Sequence, residues 1–237
     1  LLAGRVLSSD DLRRLNPADS ALFRQFYRGS EISEEEWSMQ KRYQICWPYR
    51  SRSDYHHHDD MDLTDEWQKE VYLHGQHTMR QQGYRSVLDL GCGSGYKLIH
   101  ELGEFETTGL ELECNLARLR TRYPDRNWQL SDLGRPPHQH FDLVICADVI
   151  EHLVDPDTLL DSLLAIDFHR LIISTPDRSL LHRPWNRRYW GPPRNRAHQR
   201  EWTFREFSRY ISPTFEILDH RISNPQQATQ MITCSKR

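Results

Sequence analysis

The chain has 237 residues, enough for one large domain or one domain with an elaborated end, and too few for a multi-module machine. Lys plus Arg (31) against Asp plus Glu (34) leaves a net charge of −3, which excludes a global pull on nucleic acid or anionic membrane, so any basic site must be local. Apolar residues at 37% and aromatics at 11% suffice for a core and exclude wholesale disorder, and no apolar run approaches the roughly 20 residues of a membrane-spanning helix.

Leu1 to Ser9 is neither long nor basic enough for a secretory signal; since the chain opens on leucine, its start carries no further information. Leu1 to Arg85 reads as ancillary, with an acidic, solvent-facing helix beginning in Ser30 to Trp37. Thr64 before Asp65 and Glu66, then Trp67, Val71 and Met79 near helical spacing, predicts a capped helix leading into the main fold. From Ser86 short apolar strands alternate with amphipathic helices: Val87 to Leu90, helix Ser94 to Leu102, Thr107 to Leu110, a helical stripe Leu112, Leu116, Leu119, Tyr123, then Trp128 to Leu130 and Phe141 to Cys146. Asp155 and Pro156 read as N-cap and first helical position, Leu159, Leu160, Leu163 and Leu164 as the stripe, and Arg170 to Ile173 as the next strand. Ser174 to Trp202 shows no period, carries four prolines and is too long for an inert connection. Trp202, Thr203, Glu206 and Phe207 combine a hydrophobic staple with a capping box for a helix through Ile211. Phe215 to Asp219 and Gln230 to Cys234, around Asn224 and Pro225, predict an antiparallel hairpin on one sheet edge.

Cys46, Cys92, Cys114, Cys146 and Cys234 form no C-x-x-C pair and sit mostly in apolar surroundings. That spacing points to small core side chains in a reducing compartment, hence the cytoplasm. His56, His57, His58, Asp59, Asp60 and Asp62 are metal-ligand types, but neighbours on one strand or helix do not converge easily on one ion, so a wet loop and no metal site are expected.

Val87-Leu88-Asp89-Leu90-Gly91-Cys92-Gly93-Ser94-Gly95-Tyr96 places a glycine-rich turn between the first strand and a helix, where free amides face an incoming polar group. Glu111, twenty residues after Gly91, ends the second strand, where a carboxylate accepts the ribose hydroxyls of an adenosine moiety. Tyr96 stands where a dinucleotide fingerprint has its third glycine, which disfavours NAD and FAD. Gly109 also fits a merely tight strand end.

The run Val87 to Tyr96, Gly109-Leu110-Glu111, Asp132, and Phe141 through Ala147-Asp148-Val149-Ile150-Glu151-His152-Leu153 resembles class I S-adenosylmethionine-dependent methyltransferases over about Leu73 to Arg237. That resemblance implies an α/β, Rossmann-like three-layer sandwich: a seven-stranded, mostly parallel sheet with an antiparallel C-terminal hairpin. It divides the chain into an N-terminal helical extension or partial cap (1–72) and a methyltransferase domain (73–237), with 174–202 as a substrate-facing lid or insertion. It further implies S-adenosylmethionine as methyl donor and S-adenosylhomocysteine as product. Asp89 would orient the methionine portion, and Gly91, Cys92, Gly93 and Gly95 would line it, Cys92 as a packing residue without chemistry. Glu111 and Leu112 would hold the ribose, Asp132 and Leu133 border the adenine, and Ala147, Asp148 and Val149 lie beneath the donor. Tyr72, with Gln68 and His77, would close the donor pocket from the N-terminal side.

Methyl transfer from a sulfonium needs alignment, exclusion of water and, for a hydroxyl acceptor, removal of its proton. His152, in the motif beside the donor, and His198, near the lid's end, are the candidate general bases; the alternative for each is a structural imidazole. Between Arg178 and Arg200 stand seven arginines and no acid. Arg178, Arg187, Arg188, Arg194, Arg196 and Arg200, with Tyr189 and Trp190, are the candidate acceptor contacts, since guanidinium forks suit carboxylate, phosphate or acidic sugar. RNA-backbone contact, partner docking and plain solvation are the other readings of this patch. An Asn/Asp-Pro-Pro-aromatic motif is missing after the fourth strand, which opposes base methylation, and Pro176-Asp177-Arg178 replaces the Asp-Asn pair of metal-dependent catechol-type enzymes. Gly191 to Trp202 resembles methyltransferases of glycan or natural-product tailoring. The expectation is therefore O-methylation of a small anionic or sugar-like acceptor by a monomer or homodimer, without membrane or nucleic-acid partners. N-methylation of a small amine or amino sugar, a non-catalytic S-adenosylmethionine-binding protein and an RNA-binding methylase are the alternatives.

Overall fold

The computed structural model describes residues 43–46, 48–52, 61, 62, 64 and 67–237. Strands β1 (Ser86–Leu90), β2 (Glu106–Glu111), β3 (Asn127–Leu130), β4 (His140–Ala147) and β5 (Asp167–Pro176) run parallel. The hairpin of β6 (Phe215–Asn224) and β7 (Thr229–Lys236) joins antiparallel through β7, giving the order β3-β2-β1-β4-β5-β7-β6. Around this sheet lie α1 (Lys69–Gln82), α2 (Tyr96–Leu102), α3 (Glu113–Arg122), α4 (Asp157–Ala165), the single turn α5 (Arg178–Leu181) and α6 (Phe204–Ile211).

Successive strand side chains point to opposite faces, so each central strand feeds two cores. Leu88, Leu90, Val144, Cys146, Leu171 and Ile173 pack with Leu159 and Leu163 of α4 and Phe207 and Tyr210 of α6 on one face. Val87, Leu143, Ile145 and Ile172 pack with Val71 and Met79 of α1, Leu98 and Leu102 of α2, and Leu116 and Leu119 of α3 on the other. The result is the expected Rossmann-like sandwich. Strand order reverses between β1 and β4, which opens a crevice beyond their carboxyl ends.

Local differences from the sequence reading have local causes. The helix expected to be capped by Thr64 starts at Lys69: Gln68 is left-handed (φ 64°, ψ 6°) and offers no side-chain cap. The Thr64 carbonyl instead accepts from Lys97 Nζ at 3.2 Å, and Asp65 and Glu66 lie outside the described residues, as do Ser30 to Trp37 and residues 56–60. Gly95 is left-handed, so α2 begins at Tyr96, two residues after Ser94. The Asp155 carboxylate accepts from the Asp157 N–H at 3.1 Å, as a cap should, but Pro156 precedes the helix rather than opening it. Leu164 and Cys114 are exposed. β5 is ten residues long because it pairs along both edges, with β4 and with β7. The staple and capping box hold as read: Trp202 and Phe207 rings are 5.9 Å apart, and Thr203 and Glu206 exchange side-chain and backbone hydrogen bonds.

Segment 174–202 is more built than its composition suggests. Ser174 to Pro176 finish β5, α5 follows, and Arg187–Trp190 form a 3-10 turn. The described residues of 43–52 strap it down: Tyr43, Ile45 and Tyr49 are buried. The Trp202 indole donates to the Tyr43 carbonyl, the Glu201 N–H to the Tyr49 hydroxyl, and the Arg50 N–H to the Trp190 carbonyl.

Candidate active site

A cavity of about 800 Å³ occupies the crevice at the strand carboxyl ends, within the range of small-molecule sites. One half is built by the turn after β1. Gly91, Gly93 and Gly95 all have positive φ; at Gly91 a Cβ would also lie 2.5 Å from Val149 Cγ2, so only glycine lets the turn pass over that residue. Glu111 ends β2 beside it. Its Oε2 accepts from the Gly93 N–H at 2.9 Å, and its Oε1 accepts from the Leu112 N–H at 2.8 Å and from Asn115 Nδ2 at 3.2 Å. Gly109 serves packing, since a Cβ there would lie 2.4 Å from the Trp128 ring.

Of the residues expected at the donor, Tyr72, Gly91, Cys92, Glu111, Leu112, Leu133, Ala147, Asp148 and Val149 line the cavity. Gly93 and Gly95 shape the turn behind this wall. Asp89 is fully buried beneath it and accepts from the Tyr72 hydroxyl at 2.8 Å. Asp132 is exposed and turned onto the Gly134 N–H at 2.9 Å, so its neighbours Ser131 and Leu133 supply the wall instead. Asp148 is a non-glycine residue at φ 52°, held by Ser174 Oγ, which donates to its carboxylate at 2.6 Å.

The other half is made by the 3-10 turn Ile150–His152 and the end of the lid segment. Gln199 and Arg200 donate backbone N–H bonds to the Glu151 carbonyl (2.7 and 3.4 Å), and His152 Nδ1 meets the Ala197 carbonyl at 3.1 Å. Arg200 reaches across to the carbonyls of Leu153 and Val154 at 2.9 and 2.7 Å. These bonds bring His198 to His152: their rings stand edge to face with centroids 4.9 Å apart, and both line the cavity.

A family profile described as "Methyltransferase domain" matches residues 55–212. The chain belongs to this family. Its structure has the class I S-adenosylmethionine-dependent methyltransferase fold, and the protein is a methyltransferase. Similar solved structures include magnesium protoporphyrin IX methyltransferase (ChlM) from Synechocystis PCC 6803 with bound SAH, at 15% identity over 94% of this chain and 96% of that one (TM-score 0.55). The methyltransferase domain of bacterial CtHen1-C is 22% identical over 71% of this chain and 97% of that one (TM-score 0.53). The pyocyanin biosynthetic protein PhzM is 16% identical over 68% and 54% respectively (TM-score 0.52). At these identities the likeness speaks for the fold. A search of curated proteins returned no match.

The methyltransferase places the arginine-rich segment differently from its reading as a uniform substrate patch. Arg178 is fully buried; its guanidinium donates to both Glu206 oxygens at 2.9 and 2.8 Å and to the Glu201 carbonyl at 2.8 Å, between the rings of Tyr49 and Tyr189. Arg200 is buried over the Tyr43 ring. Both guanidiniums are committed to holding the segment and do not face the cleft. Arg187, Arg188 and Arg196 are exposed off the cavity wall, Tyr189 and Trp190 pack edge to face on each other, and Arg194 lines the cavity.

Several lining residues escaped the sequence reading: Lys97, Glu151, Asn195 and Gln227 among them. Glu151 is the consequential one. It is fully buried, Thr175 Oγ1 donates to its Oε2 at 3.0 Å, and its Oε1 has no hydrogen-bond partner among the described residues. Burial, and after it the Asp148 carboxylate, push its carboxyl well above the usual carboxylate range; burial also raises Asp148. The available signal was an acid inside an apolar turn, next to the histidine already singled out. Among the described residues no helix is long and apolar enough to cross a membrane.

Proposed function

We propose that the protein transfers the methyl group of S-adenosylmethionine to a hydroxyl of a small anionic or sugar-like acceptor, releasing S-adenosylhomocysteine. The observation that carries this reading is that Glu111 and the glycine turn share one cavity with His152 and His198. The donor set suits the ligand chemically: a carboxylate for vicinal ribose hydroxyls, a glycine turn free of side chains, and apolar Leu112 and Leu133 for the flat faces of a base. Bound there, the donor supplies an electrophilic sulfonium methyl that needs no covalent enzyme intermediate. The chain's own part is to align, to exclude water and to relieve the acceptor of its proton. Tyr72 and Ala147 close the donor end, and His152 and His198 stand at the acceptor end as the groups that deal with the proton.

Arg194 on the wall, with Arg187, Arg188 and Arg196 exposed on the same segment, favours an anionic acceptor. The five cysteines, none in a disulfide, go with a reducing, cytoplasmic setting. We take the working unit as a monomer or homodimer and the N-terminal residues 1–72 as a partial cap. Calorimetry with S-adenosylmethionine and S-adenosylhomocysteine, followed by methyl transfer from labelled donor across sugar acids, phosphosugars, phenolic acids and amines, tests the reading. Donor binding with label in an ether linkage is expected. Label in an amine identifies N-methylation; no donor binding overturns the proposal.

A further inference from the structure

Glu151, His152 and His198 each offer a ligand atom, and these atoms lie within 4.8 Å of one another. The two histidines are 46 positions apart, and bonds from the lid segment to the Glu151 turn help bring them together. Their second nitrogens are tied in the way metal-binding imidazoles are. The Ala197 carbonyl can only accept, so His152 Nδ1 carries the proton; Glu201 Oε1, 2.9 Å from His198 Nδ1, does the same for His198. In that tautomer Nε2 is the nitrogen of each ring that can coordinate a cation. At His198 this nitrogen accepts from Asn195 Nδ2 at 2.9 Å; Asn195 is exposed and can yield the position. The independent pointer is Glu151 Oε1, an oxygen on a fully buried side chain in the cavity wall, with no hydrogen-bond partner among the described residues. Leaving a buried carboxylate oxygen without a partner is costly unless a ligand supplies one.

We propose that Glu151, His152 and His198 bind one divalent first-row transition cation at the acceptor end of the cleft. Two imidazoles and one carboxylate suit Zn²⁺, Mn²⁺, Co²⁺ or Fe²⁺ and leave coordination positions open toward the cavity. This deepens the methyl-transfer reading and rests on it for its chemistry. In this form His152 and His198 act on the acceptor proton through the cation instead of accepting it themselves: the acceptor hydroxyl would bind the cation through oxygen, which would lower its pKa, and its proton would pass to solvent. The oxygen lone pair forms the new bond to the methyl carbon while the carbon–sulfur bond breaks with its electron pair on sulfur. The products are a methyl ether and a thioether, with no redox change.

The test uses the full, tag-free chain, treated with EDTA and titrated with Co²⁺ by calorimetry and visible absorption, with S-adenosylhomocysteine binding measured on the same samples. One Co²⁺ per chain is expected, with ligand-field absorption. Affinity should fall about 100-fold in Glu151→Gln and in His198→Ala and stay unchanged when residues 56–58 are all alanine. Retained S-adenosylhomocysteine binding shows that each variant is folded; if Glu151→Gln is not, His198→Ala and His152→Ala carry the same test. A folded wild type without Co²⁺ binding, or binding undiminished in the site variants, overturns the cation site and leaves the donor reading standing. Co²⁺ binding without S-adenosylhomocysteine binding overturns the donor reading and leaves the cation site standing.

Discussion

The Glu111 carboxylate accepts the Gly93 N–H at 2.9 Å, joining the end of the second strand to the turn after the first. The bond stiffens the turn and aims the carboxylate along the cavity. Glu111→Ala should therefore weaken S-adenosylmethionine and S-adenosylhomocysteine alike, by about 10- to 100-fold, the worth of a charge-assisted hydrogen bond. Calorimetry against both ligands checks this; unchanged affinities would remove Glu111 from the site.

Arg178 and Glu206 form a fully buried ion pair in which Arg178 Nη2 donates to both carboxylate oxygens. Removing one partner strands the other charge, so Arg178→Ala should lower stability by about 3–5 kcal/mol in urea unfolding. Burial raises the Glu206 carboxyl, but Arg178 and the N–H donors of Cys46 and Thr203 outweigh it and hold it below the ordinary 4.5. A depressed folded pKa means that the stabilisation is complete above about pH 4.5 and is lost as pH falls through the folded value. Between pH 5 and 3, wild-type unfolding should steepen relative to Glu206→Gln; parallel acid limbs would exclude this linkage.

Arg194 and Arg200 lie in one arginine-rich segment with opposite surroundings. Arg194→Ala should raise the acceptor KM and leave the melting temperature within about 1 °C, as exposed side chains do. Arg200→Met removes the donors to the Leu153 and Val154 carbonyls and should cost about 2–4 kcal/mol through those buried acceptors. Thermal melts paired with steady-state kinetics separate the two.

Tyr72 donates to Asp89 at 2.8 Å in the buried floor of the donor half. Tyr72→Phe keeps the ring and loses the bond, with an expected cost of about 1–3 kcal/mol in chemical unfolding. Donor affinity should fall with it; a variant as stable as wild type would show that the bond is not needed.

At Gly109 the constraint is steric. Gly109→Ala puts a methyl 2.4 Å from the Trp128 ring, and overpacking of this kind costs about 1–3 kcal/mol. Trp128 fluorescence and melting temperature should shift together.

The donor half was legible because it is local. The turn from Gly91 to Gly95 needs positive φ at each glycine, and Glu111 follows one β-α-β unit later, so chain geometry alone sets them side by side. The alternation Leu88 and Leu90 against Val87 likewise announced a sheet covered on both faces. The lid was not legible in the same way. Seven arginines in one segment read as a single patch, yet Arg178 and Arg200 lie inside and Arg187, Arg188, Arg194 and Arg196 outside.

What the amino-acid order determined was the periodicity, the turn chemistry and the capping box, all properties of residues within a few positions of one another. What folding decided was which distant groups share a space: Arg178 with Glu206 and Tyr49, and Glu151 and His152 with His198. A long aperiodic segment carries no spacing rule, so its side chains go inward or outward according to the partners that the rest of the chain presents.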